Sequence, residues 1–164
     1  GADVRSAVRP GLIDVSQDAY GWTGPWANRR GFDSLVQMSS GIAAAGMASA
    51  GADRPVPLPV QTLDQGTGYL LAAAAVRGLT LRQTRVTGSR WRTSLARVGG
   101  FLDSCPQGPA APQIGKPEPS DYSDDIEHTA WGPALRLHPP LMLGDAEMGW
   151  ARPAGELGSS PAAW

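Results

Sequence analysis

Proline limits this chain more than any other residue, because it lacks an amide hydrogen and breaks a helix interior. The chain has 164 residues and 15 prolines, and ten of these prolines lie beyond residue 104. The stretch from Pro106 to Pro119 therefore predicts a linker. We expect one folding unit in two parts: residues 1–104, where long helices are possible, and residues 105–164, a Pro/Gly-rich linker followed by a β-hairpin tail.

The first part alternates between strand and helix patterns, which is typical of an α/β fold. A β-prone run at residues 12–16 precedes an aromatic loop and a helix that begins near Phe32 and closes at Gly46. A second helix is predicted from Asp64 to about Gln83. Because its stretch from 69 to 76 is apolar on all sides, we expect this helix to be buried. A short strand at 90–94 and a short helix at 95–102 follow.

The second part has one clear hairpin pattern. Gly144 and Asp145 form a turn signal between residues 135–143 and residues 147–150, so a β-hairpin is predicted there. The acidic run 124–128, which ends in His128, is interpreted as a solvated turn, with a weak metal site as the alternative. The other histidine, His138, has no paired ligand spacing, so we predict no metal.

Composition excludes several classes of function. The formal net charge is −1, from 14 basic and 15 acidic residues, and the arginines are scattered, so we expect no nucleic-acid partner. The longest apolar run is too short to span a bilayer, and no leader peptide is visible, so we expect a cytoplasmic protein without membrane contact. Cys105 is the single cysteine, which rules out an internal disulfide.

Asp64 is the strongest candidate for chemistry, and its position allows two interpretations. Aspartate is favoured as the N-cap of a helix, because its oxygen accepts from the first free amides. The same geometry suits a covalent nucleophile, since the helix dipole and amide contacts keep a carboxylate ionised. Gly66 and Gly68 leave room for a substrate to approach. Spacing alone does not separate the two interpretations.

Several motifs occur together in one order. They are Tyr20-Gly21-Trp22-Thr23-Gly24-Pro25, then Gly31-Phe32-Asp33, then Ser40-Gly41-Ile42, then Leu63-Asp64-Gln65-Gly66-Thr67-Gly68 with the alanine-rich helix, and finally Ser94-Leu95-Ala96. In this order, over roughly residues 10–102, the chain resembles family III CoA-transferases, the group of formyl-CoA and carnitine CoA-transferases. The resemblance implies part of a family III fold: a Rossmann-like large-domain segment with buried helices, the Pro-rich linker and the β-hairpin tail.

The resemblance also implies an activity, which is transfer of CoA between an acyl-CoA and a carboxylic acid. Asp64 would be the catalytic residue, forming aspartyl anhydride and aspartyl-CoA intermediates. Substrate contacts would come from Tyr20, Gly21, Trp22, Gln65, Gly66 and Gly68. No cofactor beyond the CoA substrate and no metal is implied, and the family arrangement is an interlocked homodimer. The arginines at 82, 85, 90, 92 and 97 are interpreted as a solvated basic face, with binding of a CoA phosphate as the alternative.

Alternatives stay open at this point. Family members are usually more than twice as long as this chain, so one alternative is a truncated, catalytically inactive domain that only binds or associates with a partner. A 2-methylacyl-CoA racemase is disfavoured, because the family relatives with that activity have a histidine where this chain has Phe32. A structural domain unrelated to CoA is the remaining possibility.

Overall fold

The computed structural model describes residues 1–106, 115–146 and 148–163. The chain divides into two compact units, Gly1–Gln107 and Gly108–Trp164. The elements described in the first unit are, in order, α1 (Ala2–Val8), β1 (Ile13–Asp18), α2 (Asp33–Ser39), α3 (Ile42–Ala50), α4 (Thr62–Arg85), β2 (Ser89–Ser94) and α5 (Leu95–Ser104).

β1 and β2 form a parallel pair, in register from Ile13 opposite Ser89 to Asp18 opposite Ser94. The predicted strands and the α5 helix are thereby confirmed, with small shifts in their ends. In a parallel pair both carboxyl ends meet at one edge, and the segments that follow them share that edge. Ala96 N donates to Ala19 O at 2.9 Å and joins these two segments.

The core of the first unit is small and lies where α2, α4 and α5 meet the end of β1. Its buried members are Ala19, Val36, Leu63, Leu95 and Val98. α4 crosses both strands closely at Gly78, where an added Cβ would lie 2.5 Å from Ile13 Cγ2. A larger residue at that point would hold the helix away from the sheet.

The prediction of one helix from Phe32 to Gly46 is wrong, because two helices occupy this region. Gly41 adopts a left-handed conformation with φ of +96°, and this ends α2 and starts α3 in a new direction. Gly46 lies inside α3 and does not close it. Its role is close packing, since a Cβ there would lie 2.1 Å from Val56 O.

α4 is longer than predicted and is not buried, so that expectation is wrong. Only Leu63, Thr67 and Gly78 are buried along its 24 residues, while Tyr69 and Val76 are 57% and 62% exposed. A two-stranded sheet and short helices cover one face of a long helix and leave the others bare. The described residues of the first unit therefore leave most of this apolar helix exposed.

The second unit contains a hairpin at a different place from the predicted one. β3 (Tyr122–Thr129) pairs antiparallel with β4 (Gly132–Leu137). The predicted turn at 144–145 is spanned only by an isolated bridge between Leu143 and Ala146, and position 147 lies outside the described residues. The acidic run 124–128 lies in β3 rather than in a turn. Residues 126–128 pair with β4 after an irregularity at 123–125, and Arg136 Nη2 donates to Glu127 Oε2 at 2.8 Å.

Two further expectations concern this region and the membrane. Most of the predicted linker, at 107–114, lies outside the described residues. Within the described part of the chain, no helix combines the length and the apolar character that a bilayer span requires.

Candidate active site

Asp64 is the third residue of α4, so the interpretation of Asp64 as the N-cap of this helix is wrong. The helix begins at Thr62, and Gln61 precedes it without a side-chain cap. The Asp64 side chain is exposed. Among the described residues no donor bonds to its carboxylate, so the amide contacts expected at its oxygens are not formed.

A carboxylate from another helix performs the capping. Asp33, the first residue of α2, accepts the Asp64 amide on Oδ2 at 2.8 Å. Backbone amides in the first helical turn lack partners within their own helix, so a carboxylate placed there satisfies one of them. Asp64 is thus held through its backbone while its side chain stays unoccupied.

Two effects raise the pKa of the Asp64 carboxyl above its ordinary value. The larger effect is desolvation by partial burial, which disfavours the charged form of the carboxyl. The smaller effect is repulsion by the negative charge of Asp33. The sequence-based expectation was the opposite, namely that dipole and amide contacts would stabilise the ionised form. A carboxylate with a raised pKa is a stronger base and a better nucleophile once it is ionised.

A cavity of about 1030 Å³ opens at the carboxyl edge of the parallel strands. Ligands of open α/β sheets commonly bind at this edge. The loop after β1 contributes Tyr20, Gly21 and Trp22 to its lining, and α5 contributes Arg97 and Phe101. Three of the predicted substrate contacts therefore line one cavity.

The loop that carries these contacts is held by specific bonds. Gly21 has φ of +92°, and its amide donates to Asp18 Oδ1 at 2.6 Å, which turns the chain at the end of β1. Tyr20 packs edge to face against Trp26 with ring centroids 4.8 Å apart. The guanidinium of Arg92 lies 4.8 Å from the centroid of the Trp22 ring.

Asp64 does not line this cavity, but its helix does. Leu70 of α4 contributes to the wall. Six residues of α-helix rise by about 9 Å, so Asp64 lies roughly that far along the helix axis from Leu70. The structure brings Tyr20, Gly21 and Trp22 together and leaves Asp64 on the neighbouring surface.

The three other predicted contacts, Gln65, Gly66 and Gly68, differ in their surroundings. Gln65 is exposed. An added Cβ at Gly66 would lie 3.3 Å from Val98 Cγ1, so this glycine has a packing role against α5. Gly68 has open space around it, which leaves room for a ligand.

Four of the five arginines of the predicted basic face have different surroundings. Arg90 Nη2 bonds to Asp3 Oδ1 at 2.5 Å, and the aliphatic part of Arg82 lies near Gly11. Arg92 and Arg97 instead line the cavity. These two arginines are accessible to an anion in the cavity.

A metal site is not indicated by the described residues, among which no cluster of three or more metal-ligating side chains occurs.

The profile of CoA-transferase family III matches residues 1–120 of the chain. That is well over half of its 164 residues. The chain belongs to CoA-transferase family III.

Two curated relatives are similar to the chain over part of their length. The chain is 33% identical over 81 residues to the probable fatty acyl-CoA transferase Rv3272 of Mycobacterium tuberculosis, covering 49% of the chain and 20% of that protein. It is 31% identical over 72 residues to the acetyl-coenzyme A transferase nodX of Hypoxylon pulicicidum, covering 44% of the chain and 12% of that protein. The chain thus matches a fifth or less of either relative.

The fold agrees with the family. The crystal structure of Rv3272 superimposes with a TM-score of 0.57 at 27% identity, covering 63% of the chain and 29% of that structure. The predicted α/β class and the membership of a family III fold are confirmed, as a partial segment. The buried helices expected within that segment are the exception, as α4 shows.

One residue of the candidate site, Asp33, could not be singled out from the sequence. Asp33 belonged to a motif used for the resemblance, but no role was predicted for it. The residue is 1% exposed and its side chain bonds to the Asp64 amide, so Asp33 fixes the start of α4. The signal available in the sequence was weak, because an aspartate at a helix start is ordinarily explained by its own helix.

Proposed function

We propose that this chain carries the nucleophile of an enzyme that transfers CoA between an acyl-CoA and a carboxylic acid. The observation that supports this most is the state of Asp64. In a chain of CoA-transferase family III, its carboxylate is exposed and engaged by no donor of the described residues, while its backbone is fixed at the start of α4. A carboxylate held in this way is free to attack an incoming thioester.

The proposed reaction has four balanced steps. An Asp64 oxygen attacks the thioester carbonyl carbon, the carbon–sulfur bond breaks, and CoA thiolate leaves a mixed anhydride behind. The thiolate attacks the Asp64 carbonyl carbon and expels the donor carboxylate, which gives aspartyl-CoA. The acceptor carboxylate attacks that thioester and releases the thiolate with a second anhydride. The thiolate then attacks the acceptor carbonyl carbon, forms the product acyl-CoA and restores the Asp64 carboxylate.

We assign contact with CoA to three sets of residues. Tyr20, Gly21 and Trp22 line the cavity, and the aromatic rings there suit the apolar thiol arm of CoA. Arg92 and Arg97 on the same wall suit a carboxylate or a phosphate. Gln65, Gly66 and Gly68 follow the nucleophile on α4, where Gly68 leaves open space.

The remaining features of the proposal follow the family. The reaction needs no metal and no organic cofactor beyond CoA, because each step exchanges an acyl group between oxygen and sulfur. We expect a homodimer acting in the cytoplasm, with residues 1–104 as the catalytic-type segment and 105–164 as its tail. Two-base racemisation lacks its second base, since Phe32 is a phenyl group, 73% exposed, without an exchangeable proton.

The test is to trap the intermediate. The complete gene product is incubated with acetyl-CoA, and separately with a long-chain acyl-CoA, in the presence of hydroxylamine. We expect peptide mass spectrometry to find a hydroxamate at Asp64. Asp64→Asn should abolish this adduct and the turnover, whereas the control Asp53→Asn, at an exposed carboxylate outside α4, should leave both unchanged. Normal turnover in Asp64→Asn would refute the proposal.

A second candidate, binding without turnover, is favoured by the separation between Asp64 and the cavity. Calorimetric titration with CoA distinguishes the two functions. A domain that only binds CoA gives heat with CoA, and no hydroxamate forms. In that case Trp22→Ala should weaken binding, while Asp64→Asn should leave it unchanged.

A further inference from the structure

Asp33 is a buried carboxylate that the proposed reaction does not use. Its residue is 1% exposed, and among the described residues it has no cationic partner. Burying an ionised group is costly unless hydrogen bonds satisfy its oxygens. Both oxygens are satisfied: Oδ2 accepts the Asp64 amide at 2.8 Å, and Oδ1 accepts Gln37 Nε2 at 2.5 Å.

Gln37 extends this pair into a clamp on the segment that leads to α4. Its Nε2 also donates to Val60 O at 3.1 Å, and its Oε1 accepts the amide of Leu58 at 2.7 Å. Gln37 is itself buried. The two side chains of α2 therefore fix the path of the chain from Leu58 through Val60 to the first turn of α4.

We propose that Asp33 is a positioning residue for Asp64, which fixes the backbone of the nucleophile and leaves its carboxylate unoccupied. This inference rests on the proposed function. Without Asp33, the amide of Asp64 would need another partner, and aspartate side chains readily accept from their own or a neighbouring backbone amide. The nucleophile would then be bonded to a backbone amide.

The negative charge of Asp33 also affects the Asp64 carboxyl. Packed against α4 are α2, α5, β1 and β2, and the charged side chain that raises the pKa of Asp64 comes from α2. Arg97 and Asp103 of α5, Asp14 and Asp18 of β1, and Arg90 and Arg92 of β2 are not among its causes. Replacing Asp33 by a neutral group of the same shape should therefore lower the pKa of Asp64.

The test reads the Asp64 carboxyl directly, by carbon-13 NMR over a pH titration of the chain, and needs no turnover. Asp33→Asn keeps an oxygen that can accept the amide and removes the charge, so we expect the Asp64 midpoint to move to lower pH. Asp53→Asn should leave the midpoint unchanged. Asp33→Ala removes the charge and the bond together, so the Asp64 midpoint should move further down than in Asp33→Asn as the released carboxylate bonds to a backbone amide. Equal midpoints in the two folded variants would overturn the inference, because the bond would then have no effect on the Asp64 carboxylate.

A second measurement covers the case in which Asp33→Asn does not fold. In the wild-type chain the Asp64 amide should exchange its hydrogen about tenfold more slowly than an unstructured amide, because it is bonded to a carboxylate. Exchange at the unstructured rate refutes the bond on which the inference depends.

Activity gives the final distinction. In the complete gene product, Asp33→Ala should reduce hydroxylamine-trapped acyl-enzyme about 100-fold, the scale of a misplaced reacting group, and Asp33→Asn should restore part of it. Trapping that is equal in all three proteins would refute the positioning role. An absence of trapping even in wild type would refute the proposed reaction, while the titration still decides whether Asp33 positions Asp64.

Discussion

Gly46 provides a sharp test of how α3 is packed. An alanine Cβ at this position would lie 2.1 Å from Val56 O, which is a backbone atom and cannot rotate away. The Val56 amide donates to Ala43 O at 2.9 Å, so the segment that carries Val56 is bonded to α3 one turn earlier. Gly46→Ala must therefore push this segment off the helix.

The magnitude follows from three opposing contributions. Alanine favours a helix interior over glycine by about 1 kcal/mol. Overpacking costs about 1–3 kcal/mol, and loss of the Val56–Ala43 bond costs about 1 kcal/mol. We expect a net loss of about 1–3 kcal/mol in the free energy of unfolding. Gly100 is the matched control, because it lies inside α5 with no atom within 4 Å of an added Cβ.

Urea unfolding followed by far-UV circular dichroism measures both variants, since the α-helices of the described residues all lie in the first unit. Gly46→Ala should lower the urea midpoint at an unchanged slope. Gly100→Ala should raise the free energy of unfolding by up to about 1 kcal/mol. A Gly46→Ala protein that is as stable as wild type would refute the close approach of residue 56 to α3.

Two further predictions concern charge. The pKa of Asp64 is raised in the folded state, so the folded chain keeps a proton that the unfolded chain has lost, and stability falls as pH rises between the two pKa values. Asp64→Asn should therefore raise the melting temperature at pH 7 but not at pH 3. Equal shifts at both pH values would contradict this. Arg5 Nη2 donates to both oxygens of the buried Asp14, at 2.9 and 2.7 Å. Arg5→Met should therefore cost about 1–2 kcal/mol in urea unfolding, whereas Arg9→Met, at an exposed arginine, should be near neutral, and equal stability of the two variants would refute the tether.

Local patterns predicted the parts of the fold that depend on local interactions. The β-prone run before the aromatic loop and the Arg90–Ser94 run both form strands, and the helix after Ser94 forms as expected, with Ser94 Oγ capping the amide of Arg97 at 3.2 Å. Parallel pairing of the two strands was not predicted, because it joins segments some 70 residues apart and no short signal specifies it.

The errors have a common physical origin in packing. Apolar periodicity across Gly41 predicted a single helix, but a left-handed glycine between two short helices leaves the same spacing of apolar residues. The apolar stretch of α4 predicted burial, and composition does not reveal how much surface the neighbours can cover. In the tail, Gly144 and Asp145 were a stronger turn signal than Ala130 and Trp131, yet the strands pair around the latter.

At Asp64, too, the sequence does not reveal which residues pack nearby, and here that affects the functional interpretation. An aspartate before an apolar helix was compatible with either a cap or a nucleophile, and the sequence could not separate them because each needs one carboxylate at one helix start. The structure supplies two carboxylates. Asp33, 31 residues earlier in the chain, bonds to the amide of Asp64, so capping and chemistry no longer compete for the same oxygens. The role proposed for Asp64 thus depends on a residue from another helix, and removal of Asp33 should leave the Asp64 carboxylate bonded to a nearby backbone amide.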